Sequence, residues 1–240
     1  MTSKPAEELA ETLVELADTL SPEFNVDDFL RLLVNRCVRL LDVDAAGVFL
    51  IGHGVVGSSE RVAHLELSAQ RYEEGPWLDC TRTGEQFTIS DLSEERDRWP
   101  RYVADARRAG FAAVHVLPLR RREELIGSLT LLDTVPRELE KPELRLAQAI
   151  VDVATIGILS TRALRQQETL AVQLQHALNS RVIVEQAKGV LAERLGLTTT
   201  VAFATLRSYA RSHNTRVSEL ASSIVNGTFD TNLLRNGSLR

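Results

Sequence analysis

The sequence predicts an α+β fold, in which an N-terminal antiparallel sheet flanked by helices is followed by an all-helical C-terminal part. Two helical patterns precede the first strands, and helices then alternate irregularly with strands, unlike a repeated βαβ series. Two strongly alternating segments at 112–133 form a hairpin pattern. From about 143 to 195 a helical pattern continues without any proline.

Spacing and capping residues predict the first elements. Apolar residues recur at every third or fourth position over 6–20, and Asn25 caps a second helix over 26–41. The run AAGVFLIG at 45–52 lacks helical period and predicts a strand, which glycines turn into a second strand over VVGSS. Helices are then expected near 59–72, 77–83 and 94–109, with a short strand at 87–90 and with Pro100 as an early-turn proline or a break.

The clearest strands are AAVHVLPLR and ELIGSLTLLD, which Arg121-Arg122-Glu123 joins as a hairpin. Together with the earlier strands they give a sheet of about five strands. This count suits a sheet that helices cover on one face.

The helical pattern at about 143–195 predicts a coiled coil, because it is much longer than an ordinary globular helix. A heptad counted from Val153 has apolar residues at six of its eight a and d positions. We therefore expect a parallel homodimer through residues 153–177; the alternative is a single helix that lies on its own domain. The eight positions are Val153, Ile156, Ser160, Ala163, Gln167, Leu170, Leu174 and Ala177.

The end of the long helix and two shorter helices predict a three-helix bundle. Gly196 ends the long helix, Thr198 caps a helix that ends at Asn214, and VSELASSIV forms the last helix. The expected core residues are Ile183, Val184, Ala187, Val190, Leu191, Ala202, Phe203, Leu206, Tyr209, Ala210, Val217, Leu220, Ala221, Ile224 and Val225.

Composition and charge restrict the class of protein. The 240 residues are 44% hydrophobic and 25% charged, as in soluble globular domains, and no run of about 18 apolar residues predicts a membrane span. The acidic N-terminus does not resemble a secretory signal, so we expect a cytoplasmic protein. Net charge is −5, yet residues 176–240 hold 8 Lys+Arg and 4 Asp+Glu, whereas residues 1–175 hold 20 and 29. The C-terminal part is therefore the candidate for binding a polyanion.

Two basic stripes are predicted in the bundle. Arg181 and Lys188 are seven residues apart on the long helix, in line with Ala177, and Arg207 and Arg211 are spaced i, i+4 on the middle helix. If the stripes meet, guanidinium and ammonium groups form a groove suited to phosphate. The alternative is that these side chains only cover apolar surface at the core boundary.

The segment ALNSRVIVEQAKGVLAERLGLTTTVAFATLRSYARSHNTRVSELASSIVNG resembles the ANTAR domain, a helical RNA-binding module of bacterial antitermination regulators. The family pattern is matched by Ala177, Arg181, Gln186-Ala187-Lys188-Gly189, Ala202-Phe203, Leu206-Arg207 and Ala210. The chain departs from it at Val184, where isoleucine is usual, and at Val201, which replaces an acidic capping residue. The resemblance and the stripes together give a candidate RNA-binding set of Ala177, Arg181, Gln186, Lys188, Gly189, Arg207 and Arg211.

Residues of about 20–165 are similar to the GAF domains that precede ANTAR in two-domain bacterial regulators. The similarity is carried by AAGVFLI, EGPWLDCTRTGE, DRWPRYVADARRAGF and VHVLPLRRREELIGSLTLL. Trp77 stands where most relatives have Cys, which argues against a role for paired thiols with Cys80. The expected organisation is a GAF sensor domain at 1–165 with an unidentified small ligand, an ANTAR domain at 166–230 and a tail at 231–240.

Other polar residues do not form a pattern of catalysis. His115 lies within a strand and is expected to be a packed core residue, and Asp42 and Asp44 are expected to end a helix rather than accept a phosphoryl group. Trp77 and Trp99 either line a pocket or fill the core. Arg120-Arg121-Arg122 forms a solvated turn or a second polyanion contact. Since no nucleophile–base pair, phosphate loop or metal-ligand spacing is present, we expect no enzymatic activity, no cofactor and no metal.

The expected function is RNA-binding transcription antitermination. The resemblance implies that the ANTAR module binds paired stem-loops in nascent mRNA under control of the sensor, so that a terminator hairpin does not form. One alternative is a small-molecule-sensing protein whose C-terminal helices mediate protein–protein interaction. A second is DNA binding by the bundle, although no helix-turn-helix base-reading pattern favours it.

Overall fold

The computed structural model describes residues 4–18 and 24–235, which form two units that divide between Ala163 and Leu164. The predicted domain boundary lay between 165 and 166. The first unit contains α1 (Lys4–Ala17), α2 (Val26–Leu41), β1 (Ala45–Leu50), β2 (Gly54–Gly57), α3 (Glu60–Tyr72), α4 (Pro76–Thr83), β3 (Phe87–Ile89), a 3₁₀ turn (Leu92–Glu95), α5 (Pro100–Arg108), β4 (Ala113–Arg121) and β5 (Glu124–Asp133). Helix α6 (Lys141–Leu195) runs through the division, and α7 (Thr199–Ser212), α8 (Val217–Val225) and α9 (Asn232–Arg235) follow it.

The five strands form one antiparallel sheet in the order β2-β1-β5-β4-β3, which confirms the α+β prediction. The expectation that helices cover one face of the sheet is wrong. Side chains of α1, α2 and the start of α6 pack on one face, and those of α3, α4 and α5 pack on the other. The strands are nearly continuous apolar runs because both of their faces are buried.

Local capping explains why several helices begin and end where the sequence predicts. Asn25 accepts a hydrogen bond from the backbone N–H of Asp27 at 2.8 Å, and α2 spans the predicted residues. Pro100 is the first residue of α5, where its missing N–H costs no helical hydrogen bond. Asp42 ends α2 in the left-handed conformation, as expected of a residue that ends a helix and turns the chain.

Arg137 connects the end of α2, the end of β5 and the start of α6. Its guanidinium donates to the carbonyl of Asp42 at 2.5 Å, and it forms ion pairs with Asp133 at 3.2 Å and Glu143 at 2.6 Å. Beside it, the carboxylate of Asp44 accepts from the hydroxyl of Thr134 at 2.6 Å and from its backbone N–H at 2.7 Å. These hydrogen bonds lower the pKa of Asp44.

Helix α6 has 55 residues and changes its surroundings along its length. Its first turns contribute Ala147, Ile150 and Val151 to the core of the first unit, whereas residues 162–179 are exposed. Within the described residues it is the one helix long and apolar enough to cross a membrane. A single helix of this kind is weak evidence for a membrane span, because core helices of other proteins pass the same test of length and composition, and 44% of its apolar 18-residue stretch is buried.

The second unit has a helical core formed by the end of α6 together with α7, α8 and α9. Phe203 departs from the prediction, since its side chain is 37% exposed instead of belonging to the core. Thr231 and Leu234, from the segment that the sequence assigns to a tail, are buried against the bundle. The buried residues of this core are Ala187, Leu191, Ala202, Leu206, Ala210, Leu220, Ala221, Ile224 and Leu234.

Candidate nucleic-acid interface

An open groove of about 710 Å³ lies in the second unit, where α6, α7 and the start of α8 meet. Arg181 on α6 and Arg207 on α7 both line it, so the two predicted basic stripes do come together at this point. The remaining lining residues combine hydroxyl and apolar side chains. The full lining is Ser180, Arg181, Val184, Glu185, Phe203, Arg207, Thr215, Arg216, Val217 and Ser218.

Arg216 is a third arginine of the groove, and the sequence reasoning missed it. It occupies the N-cap position of α8, and its exposed side chain makes no capping hydrogen bond. Its place in the turn Asn214-Thr215-Arg216 was the available signal, because the turn brings the start of α8 beside α7. Its charge adds to the positive end of the α8 dipole.

Lys188 lies beside the groove, where it contacts a carboxylate of its own helix and an aromatic ring of α7. Its Nζ atom is 2.7 Å from Oε2 of Glu185, one turn earlier on α6, and 5.6 Å from the centre of the Phe203 ring on α7. Only 19% of the Lys188 side chain is exposed, compared with 58% for Glu185. The ammonium is therefore paired with a carboxylate and lies near the face of an aromatic ring.

The other predicted site residues lie outside the groove. Ala177, Gln186 and Gly189 are exposed on α6, and Arg211 is exposed one turn after Arg207 on α7. None of these four residues lines the groove.

Gly189 is a glycine that packing within the described structure does not require. It lies in the interior of α6, and a Cβ added there would meet no heavy atom within 4 Å. Glycine in a helix interior is destabilising by roughly 0.5–1 kcal/mol relative to alanine, so neither helix propensity nor packing accounts for a glycine at this position.

In the first unit, α3 and α5 bury polar side chains against the sheet. Glu66 is 2% exposed, and this burial raises the pKa of its carboxyl group to about 8, although the Thr130 hydroxyl acts in the opposite direction. Burial and the nearby Glu66 also raise the pKa of the Tyr102 phenol. The Tyr102 hydroxyl and the indole N–H of Trp77 have no hydrogen-bond partner among the described residues. This sheet face therefore buries the polar groups of Glu66, Thr130 and Tyr102 near one another, and it also buries the indole of Trp77.

The remaining candidates for chemistry are buried structural residues. His115 is fully buried, and desolvation lowers its pKa to about 4, which keeps the ring neutral as a packed core residue. Burial raises the pKa of the Cys37 and Cys80 thiols to about 12, so both are poor nucleophiles at neutral pH. Trp77 and Trp99 fill the core, at 1% and 2% exposure. Within residues 4–18 and 24–235, no three His, Cys, Asp or Glu side chains form a metal-binding group.

Two family models match the chain, one in each unit. A GAF-domain model matches residues 25–159, and an ANTAR-domain model matches residues 172–225. The groove, from Ser180 to Ser218, lies within the second match. No curated protein matches the chain.

Solved structures similar to the chain include two GAF domains of phosphoenolpyruvate-protein phosphotransferases. The Acinetobacter domain is 16% identical, with a TM-score of 0.51 over 68% of this chain and 97% of that domain. The Coxiella burnetii domain is 15% identical, with a TM-score of 0.48 over 66% of this chain and 95% of that one. The Acinetobacter likeness shows the fold alone. The GAF match covers more than half of the length of this chain, and the ANTAR match follows it. The chain therefore belongs to the GAF-domain family and has the two-domain GAF–ANTAR architecture.

Proposed function

We propose that this chain is a cytoplasmic transcription antitermination regulator whose ANTAR module binds paired stem-loops in nascent mRNA. ANTAR domains are RNA-binding antitermination modules and GAF domains are sensor domains, and neither is catalytic. A regulator that holds the stem-loops prevents a terminator hairpin from forming, so that transcription continues. The GAF unit controls this binding in response to a signal, which an unidentified small ligand delivers.

The observation that carries the proposal is the meeting of Arg181, Arg207 and Arg216 in one groove. Guanidinium groups bind phosphate oxygens with two parallel hydrogen bonds, and three of them on separate helices match a phosphate backbone better than a single charged stripe does. Lys188 stands beside them, and Gly189 leaves the α6 backbone open to close approach. Ala177, Gln186 and Arg211 extend the same contact beyond the groove along α6 and α7.

We further propose that two copies of the chain pair through α6. Leu170, Leu174 and Leu178 are each more than half exposed, and the first two occupy a and d positions of the predicted heptad. A second α6 packed in parallel would bury this stripe. Two joined modules would bind two tandem stem-loops with higher avidity than one.

A gel shift with a synthetic RNA tests the proposal directly. The RNA carries two tandem stem-loops with fixed stems and randomised loops, and binding of the full chain is measured across a salt series. We expect Arg181→Ala combined with Lys188→Ala to weaken binding and to lower the salt slope by about two, roughly one for each cation lost. Arg194→Ala is the control, since Arg194 is exposed on α6 outside the groove, and we expect this variant to bind like wild type.

Two outcomes contradict the proposal. Absence of RNA binding even at low salt favours a sensor whose C-terminal helices bind another protein. Equal competition by duplex DNA favours DNA binding.

A further inference from the structure

Phe203 is an exposed aromatic side chain in an unusual place. Its neighbours in the apolar stripe of α7, Ala202 and Leu206, are fully buried, but the Phe203 ring is 37% exposed and lines the groove. A single exposed apolar residue is ordinary on a protein surface. This one shares its groove with Arg181, Arg207 and Arg216, and Lys188 lies beside it.

The cations lie where they can act together with the ring. Lys188 from α6 has its ammonium 5.6 Å from the ring centre, within the range of a cation–π contact. Arg207 follows Phe203 by four residues and therefore lies on the same side of α7. Arg181 and Arg216 line the groove from α6 and from the start of α8.

The groove combines apolar and polar chemistry. Val184, Phe203 and Val217 provide apolar surface, and Ser180, Thr215 and Ser218 provide hydroxyl groups. Phosphates of a paired stem need only the cations, because the bases of a stem are stacked inside it and present no face to an aromatic ring. An unpaired base has an exposed π-face next to its own phosphates, so it suits both parts of the groove.

We propose that the Phe203 ring is the stacking surface for an unpaired base of an RNA loop, whose flanking phosphates are bound by Arg181, Arg207 and Arg216. This inference rests on the proposed RNA-binding function. It divides the interface into two parts. The arginines provide salt-dependent affinity, whereas Phe203 distinguishes a loop with an accessible base from a paired stem.

Phe203→Leu and Phe203→Tyr separate stacking from mere apolar contact. In gel shifts of the full chain with the randomised-loop tandem RNA, we expect Phe203→Leu to bind about tenfold more weakly, and Phe203→Tyr to bind within about twofold of wild type. Weak binding to a fully paired RNA with the same stems should not change in either variant. Val201→Ala is the matched control, because Val201 is 46% exposed on α7 and lies outside the groove.

Ultraviolet crosslinking of the complex provides a second readout. Mass spectrometry is expected to locate a crosslinked nucleotide on the α7 peptide at Phe203 and to lose it in Phe203→Leu. Thermal melting of each variant shows that the bundle still folds, as expected for a partly exposed side chain.

The two proposals fail in different ways. If wild type binds neither RNA, the RNA-binding function itself is wrong. If wild type binds and Phe203→Leu matches it, the groove does not stack a base. The same conclusion follows if Phe203→Leu weakens loop and paired RNA equally.

Discussion

The ammonium of Lys188 lies 2.7 Å from Oε2 of Glu185, one turn away on the same helix. A carboxylate at the groove reduces the positive potential that a phosphate would meet, and RNA bound as proposed would compete with it for the lysine. Both residues are on α6, so the pair forms without any contribution from the sensor unit.

Glu185→Gln is therefore expected to strengthen RNA binding by about threefold at low salt, an effect the size of an exposed ion pair. The gain should shrink as salt rises, because screening weakens the repulsion between carboxylate and phosphate. Gel shifts across a salt series measure it. Glu193→Gln is the control for net charge, since Glu193 is exposed on α6 outside the groove. Equal gains in both variants would mean that overall charge, and not this pair, sets the affinity.

Gly189→Ala is expected to move stability and binding in opposite directions. The free energy of unfolding of the bundle should rise by roughly 0.5–1 kcal/mol, because alanine favours a helix interior and the added methyl group meets no neighbour. RNA affinity should fall by roughly fivefold if the backbone approaches the ligand closely. Thermal melts and gel shifts give the two values. Unchanged affinity in the more stable variant would remove Gly189 from the interface.

The sequence predicted α2 well, because its signals are local. Asn25 marks its start, and apolar residues at helical spacing continue to Leu41. Which faces of the sheet the helices cover depends on contacts between residues far apart in the chain, and local spacing does not predict them. The nearly continuous apolar runs of β4 and β5 are typical of strands buried on both faces, whereas alternation of apolar and polar residues would indicate one buried face.

Local spacing also predicted part of the candidate site, and the rest depended on how the helices pack. Helical spacing placed Arg181 and Arg207 on edges that could meet, and they do. The same spacing could not separate Phe203 from Leu206, since the two are three residues apart on one face. The packing of the whole bundle determines that Leu206 is buried while Phe203 reaches the surface beside Lys188.

If two copies pair through α6 as proposed, replacing Leu170 and Leu174 together by Glu is expected to leave the chain monomeric and to weaken RNA binding. Charges at a and d positions would face each other across the two copies of α6. Analytical ultracentrifugation measures the mass. Val172→Glu is the matched control, because Val172 is 56% exposed, like Leu170 at 54% and Leu174 at 57%, but occupies an f position of the heptad. An unchanged mass in the double variant would show that the copies do not pair at this stripe.

Glu66 predicts a pH dependence that one substitution can isolate. Burial raises the pKa of the Glu66 carboxyl from 4.5 to about 8, so the folded chain holds this proton more tightly than the unfolded chain does. The resulting stabilisation of the fold is fully present below about pH 4.5 and is lost as the pH rises to about 8. His115 acts oppositely, because its pKa is lowered to about 4 and its contribution to stability is lost as pH falls towards that value.

Comparing Glu66→Gln with wild type cancels the His115 contribution, which is the same in both chains. Urea unfolding should show a gain in the free energy of unfolding that grows between about pH 5 and pH 8, by roughly 3 kcal/mol, on top of any constant offset from the amide. Glu60→Gln, an exposed change on α3, should show no such growth. A difference between Glu66→Gln and wild type that stays constant with pH would mean that the Glu66 carboxyl titrates alike in the folded and unfolded chains.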